Sequence, residues 1–224
     1  MSTEMKKINI MATLKDGVAI ALVNYLSLVL TAALYMVTLW IPYLNVGTTI
    51  AMASLPAEMA KGSVVNPFFI FDGKYRRNMG EFFILMALML GAIGVGFMFG
   101  IIPGFVISIA WNFAAVLFVD KDLSAIDSLR ESNRMTYGNK WKIFLTNLLL
   151  AFCLCLVIII VAAVFHTGEV KWLSTIGTII NLVIVVFALP AIYGVDASIY
   201  RQLTSGEILG GEQAPADEEP AAYK

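Results

Sequence analysis

Residues 82–119 read FFILMALMLGAIGVGFMFGIIPGFVISIAWNFAAVLFV, without one Asp, Glu, Lys, Arg or His. As one helix these 38 residues would extend roughly 57 Å, about twice the hydrocarbon thickness of a bilayer. A single span cannot use that length, so the run must double back inside itself. Gly100-Ile101-Ile102-Pro103-Gly104 marks the place. Proline cannot continue a helix from upstream but starts one well. With Pro103 and Gly104 as the turn, 82–100 and 103–119 read as two spans of a tight hairpin.

The same logic extends outward. Upstream, 17–57 is a second uncharged run of 41 residues, again too long for one crossing. The turn residues of 41–47 divide it into a good span, 17–41, and a short polar one, 46–60, which suits either a crossing or a re-entrant segment. Between the two long runs, 61–80 mixes aromatic and basic residues, as the headgroup layer favours. Residues 1–16 carry Lys6, Lys7 and Lys15 beside Ile8, Met11 and Leu14, a pattern that suits an amphipathic surface helix.

Downstream, 120–142 is dense in charge. Ser124-Ala125-Ile126-Asp127 resembles a capping box. Leu123, Ile126 and Leu129 then recur every third residue, which predicts a short amphipathic helix stopping near Gly138-Asn139. Residues 143–165 and 172–195 are further uncharged spans, joined by a loop with His166, Glu169 and Lys171. From 205 onward, Gly, Pro and acidic residues describe a solvated, disordered tail. The fold expected is an all-α polytopic transmembrane bundle over 1–204, about six spans in three hairpins, with amphipathic interfacial helices.

Charge sets the orientation. With six crossings, every Lys and Arg except Lys171 falls on one side, fourteen of fifteen. That is a strong positive-inside pattern and puts both termini in the cytoplasm. Only 14% of residues are charged and the net charge is −1, so no global field draws the chain to nucleic acid. The expected contacts are membrane lipids. The basic segments around Lys74, Arg76 and Arg77, and around Arg130, Arg134, Lys140 and Lys142, lie within a few residues of a span. They are expected to meet anionic headgroups as a surface.

Residues for chemistry are few. His166 is the single histidine, and no metal-ligand cluster, P-loop or nucleophile-elbow motif is present, so neither metal nor cofactor nor catalysis is expected. Cys153 and Cys155 are two apart on a helix and diverge, which disfavours a mutual disulfide. No charge is read well inside a span. The polar residues there are Asn24, Asn112, Asn147 and Asn181. Asn112 is the candidate for a polar cavity, although interhelical hydrogen bonding is the commoner role of such a residue. Gly91, Gly94, Gly96 and Gly100 read first as a close-packing face.

Several motifs occur together: Ile102-Pro103-Gly104, Asn133-Arg134-Met135, Gly138-Asn139-Lys140-Trp141, and Ala188-Leu189-Pro190-Ala191-Ile192-Tyr193 with Ala197-Ser198-Ile199-Tyr200. This order resembles a group of uncharacterised bacterial integral membrane proteins, a domain of unknown function. It is more distantly similar to the membrane domain attached to some glycerophosphodiester phosphodiesterases. The resemblance covers about residues 10–204 and implies a bacterial inner-membrane location. It carries no mechanism, and no phosphodiesterase catalytic segment is read here. The role expected is non-enzymatic, through lipid or protein contacts. The alternative is a small-molecule or lipid translocator with a cavity near Asn112.

Overall fold

The computed structural model describes residues 8–165 and 171–211, and every regular element in them is helical. The elements are α1 (Ile10–Thr38), α2 (Leu44–Ala60), α3 (Met79–Phe99), α4 (Ile101–Ala110), α5 (Ala114–Asp120), α6 (Ala125–Thr136), α7 (Lys140–Phe165) and α8 (Lys171–Gly211). Two 3₁₀ turns, Pro67–Phe71 and Gly73–Arg76, lie between α2 and α3. Asn66 and Asp72 cap them, accepting from the backbone N–H of Phe68 (3.1 Å) and Lys74 (3.0 Å).

Five helical stretches are long and apolar enough to cross a membrane: α1, α3, α4 with α5, α7 and α8. Their burial points to the solvent they need. The most apolar 18-residue window of α7 has 0% of its residues buried, and that of α3 has 17%. Apolar surface on that scale is not sustained in water, whereas lipid chains cover it at no cost.

α2 is built differently. At 17 residues it is shorter, and nine of them are buried. It is the central helix, packed against α8, α5, α1 and α3. Its small residues Ala51, Ser54 and Ala57 let neighbours approach closely. Ile50 and Ala51 meet Tyr75, Phe82, Leu85, Ala114 and Phe118 in one apolar cluster; Ala57 meets Phe113, Val116, Leu117, Val195 and Ile199 in a second.

The hairpin of residues 82–119 turns where the sequence marks it. Gly100 has φ 151°, a conformation that favours glycine, and Pro103 lies in the first turn of α4. Just inside the turn the two helices nearly touch. A Cβ on Gly96 would lie 3.1 Å from the Gly104 Cα, and one on Gly104 would overlap the Phe97 ring. Gly91 and Gly94, by contrast, face open space, so the close-packing face reduces to Gly96 with Gly104. A second close approach joins α1 to α8. There a Cβ on Gly17 would lie 2.6 Å from the Val195 Cα.

Four expectations change. The span expected over 103–119 is broken: Trp111, Asn112 and Phe113 form a turn between α4 and α5. The expected interfacial helix of 1–16 is, from residue 10 on, the first part of α1 and continuous with it. Residues 1–7, with Lys6 and Lys7, lie outside the described residues. The last helix passes straight through the mixed stretch beyond 195 as far as Gly211, so Asp196 lies within the apolar stretch Ser174–Ser205. A charge therefore does lie inside a candidate span. Residues 205–211 of the expected tail are the end of α8, and 212–224 lie outside the described residues.

The fourth change concerns α6. It starts as expected, with Ser124 Oγ accepting from the Asp127 N–H at 3.2 Å. Its buried face joins Leu129, from the expected apolar row, to the hydroxyl stripe Ser128, Ser132 and Thr136, while Ile126 is 54% exposed. The reason is the surface that α6 covers: a broken helix with open backbone groups.

Candidate functional site

At the break between α4 and α5 the backbone loses its regular partners, and those groups need others when buried. Ser132 supplies both kinds: its Oγ donates to the Ala110 carbonyl at 2.8 Å and accepts from the Phe113 N–H at 3.2 Å. Thr136 Oγ1 adds a longer contact to Ala110, 3.4 Å. Asn112, exposed at the break, lies next to Asp196 on α8. Neither of the two cavities described below is lined by Asn112. Asn24 also has a tertiary role, its Oδ1 accepting from the Val65 N–H at 2.9 Å.

A charged cavity of about 270 Å³ lies where α2 and α5 end beside the second 3₁₀ turn. Its floor includes Ile50, Ser54, Tyr75 and Phe118, and its wall carries Glu58, Lys61, Lys74, Arg77, Asp120 and Asp122. Lys61 Nζ lies 3.1 Å from Glu58 and 3.7 Å from Asp120; Lys74 lies 3.8 Å from Glu58; Arg77 lies 3.5 Å from Asp122. The Tyr200 hydroxyl donates to Asp120 at 2.6 Å, tying α8 to the cavity wall. Burial opposes the charge on Lys74, but its hydrogen bond with Tyr75 and the fields of Tyr75, Glu58 and Asp72 outweigh it. They hold its pKa above the usual lysine value. Arg76 points elsewhere: it packs over Gly47 and donates to the Phe71 carbonyl at 3.3 Å.

The second basic segment divides as well. Arg130 pairs with Asp127 at 3.6 Å, and Arg134 grips Glu131 with two nitrogens at 2.7 and 2.8 Å. Lys140 and Lys142, among the described residues, have no carboxylate partner; Lys140 donates to Asn133 Oδ1 at 2.7 Å. Both belong to the first turn of α7, which flanks a groove of about 460 Å³ between α4 and α7. Ile102, Phe105, Val106, Ile109 and Phe144 make its apolar wall, and Tyr137, Gly138, Lys140 and Trp141 line the rest. Phe105 and Phe144 meet edge-on at 5.8 Å, as do Trp141 and Phe144 at 6.0 Å. Pro103 and Gly104 lie in the first turn of α4, just before the wall residues Phe105, Val106 and Ile109.

Sequence reasoning thus reached Lys140 as a residue near the headgroups but not the groove that it lines. It missed Glu58, Asp120 and Asp122, which accompany Lys74 and Arg77, and it missed Asp196 beside Asn112. The one signal available was the spacing of carboxylates near the basic residues. No group of three or more His, Cys, Asp or Glu among the described residues is placed to hold a metal, and His166 lies outside them. No family model, no curated protein and no solved structure matches the chain. The resemblance to the bacterial membrane group therefore rests on its motifs alone.

Proposed function

We propose that this chain is a multi-pass inner-membrane protein that holds an anionic phospholipid in the groove between α4 and α7, and that it acts through this contact without catalysis. The observation that carries the reading is the pairing of chemistries there. An apolar wall suited to acyl chains ends at Trp141, with Lys140 and Lys142 free of carboxylates among the described residues. Aromatic rings and cations at one level are what the headgroup layer selects, and each cation near an anionic surface contributes about 1 kcal/mol. The test is retention of phosphatidylglycerol against phosphatidylcholine on the purified protein, by native mass spectrometry. Lys140→Gln with Lys142→Gln is expected to erase a preference for the anionic lipid. An unchanged preference would sink the reading.

In this proposal α2 is a sixth crossing, short because it is enclosed by protein, and both termini face the cytoplasm. The fourteen-to-one split of basic residues supports it. Reporter fusions at Gly62 and Lys121 are expected on one side of the membrane; opposite sides would remove α2 as a crossing. A second reading, translocation past Asn112, is favoured by one observation: a carboxylate, Asp196, lies next to Asn112 at a discontinuous helix, as ion-coupled sites often require. Against it, Ser132 and Thr136 already fill the break.

A further inference from the structure

The charged cavity is separate from the lipid groove, and two features of its wall bear on a ligand. First, its charges balance: Lys61, Lys74 and Arg77 face Glu58, Asp120 and Asp122. Second, the pairs are slack. Three of the four contacts lie at 3.5–3.8 Å, beyond the 2.7–2.9 Å typical of charge-assisted hydrogen bonds. Pairs elsewhere range from 2.7 Å for Arg134–Glu131 to 3.6 and 3.7 Å for Arg130–Asp127 and Lys121–Glu131, so what sets the cavity apart is that it gathers slack pairs of both signs around one space. Charges of both signs are thus held around a space without satisfying one another fully.

We propose that this cavity binds a small zwitterion bearing a phosphate and a primary ammonium, the chemistry of a phosphoethanolamine headgroup. A lone anion would leave three carboxylates facing it, and a lone cation would leave three cations. Both leave charge uncompensated in a partly enclosed site. A zwitterion keeps the balance. Its phosphate fits Lys74 and Arg77, and its ammonium fits Glu58 and Asp120, which already converge on the Lys61 ammonium. Size agrees: about 270 Å³ equals roughly nine waters at ~30 Å³ each, room for the about eight non-hydrogen atoms of that headgroup. Glu58 and Asp120 accept hydrogen bonds, which the N–H groups of a primary ammonium can donate and a quaternary ammonium cannot.

The ligand is either a lipid headgroup or a free phosphoethanolamine, and the experiment separates them. The full chain in detergent is offered equal phosphatidylethanolamine and phosphatidylcholine, and retained lipid is read by native mass spectrometry. The expected result is roughly tenfold preference for phosphatidylethanolamine, lost in Glu58→Gln and in Lys74→Gln. Lys74 is 55% exposed, so the second variant keeps the test sound if the first disturbs folding. Lys140→Gln is expected to leave this preference intact, which keeps the outcome distinct from that of the groove. Displacement by free O-phosphoethanolamine assigns the soluble source; retention against it assigns the lipid. Equal retention of the two lipids, with no displacement by free O-phosphoethanolamine, overturns the proposal, as does a preference that survives both Glu58→Gln and Lys74→Gln.

Discussion

Ser132→Ala is the most informative single change in the fold. It removes one hydroxyl that serves two buried backbone groups at the α4–α5 break, the Ala110 carbonyl at 2.8 Å and the Phe113 N–H at 3.2 Å. An unsatisfied buried group costs about 1–3 kcal/mol. Thr136 Oγ1, 3.4 Å from the same carbonyl, takes over part of one loss, so the expected destabilisation is about 2–4 kcal/mol. Ser128→Ala is the internal control. Ser128 is also buried on α6, yet its Oγ bonds only the Ser124 carbonyl, which already accepts from the Ser128 N–H at 2.9 Å. Its loss is expected below about 1 kcal/mol. Both are measured by reversible unfolding in mixed micelles of mild detergent and dodecyl sulfate. Interhelical hydrogen bonds in bilayers average about 0.6 kcal/mol. If Ser132→Ala costs no more than that, and no more than Ser128→Ala, the hydroxyl is not what closes the break.

Two further outcomes follow from the packing. Gly17→Ala drives a methyl into the Val195 backbone and is expected to cost about 1–3 kcal/mol or more, whereas Gly94→Ala meets open space and is expected to be neutral or stabilising by up to about 1 kcal/mol; thermal melting of both in one detergent compares them. A double-mutant cycle of Asn112→Leu and Asp196→Leu is expected to give a coupling above about 0.5 kcal/mol, the additivity limit for independent sites, and additive effects would show that the two neighbours act independently.

The long helices were legible because uncharged length is a direct physical signal, and the central hairpin because Gly100 and Pro103 punctuate it. The break at Trp111-Asn112-Phe113 was not, for no glycine or proline marks it. Its backbone groups are satisfied by Ser132 and Thr136, some twenty residues later in the chain. The buried face of α6 was read in part: Leu129 is buried and Leu123 packs against the core as the periodicity has it, but Ile126 is exposed, and the hydroxyls that meet the opened backbone were not foreseen. Asp196 was placed beyond the last span because a run of apolar residues ends at the first charge while the helix does not. Of the basic residues, their position beside spans was readable; which of them carry carboxylates was a matter of tertiary placement. Arg134 has Glu131 three residues away on its own helix, while Arg77 finds Asp122 across the fold.

Trp141 offers the most direct test of the lipid groove. It is 80% exposed, it lines the groove, and it lies between Lys140 and Lys142. The chain has four tryptophans, so replacing Trp40, Trp111 and Trp172 by Phe leaves its fluorescence alone. The protein is then reconstituted in bilayers that contain equal mole fractions of brominated phosphatidylglycerol or brominated phosphatidylcholine. An anionic lipid held at the groove predicts stronger quenching of Trp141 by the brominated phosphatidylglycerol, with the difference gone in Lys140→Gln, Lys142→Gln. Equal quenching by the two lipids, before and after those substitutions, would contradict it.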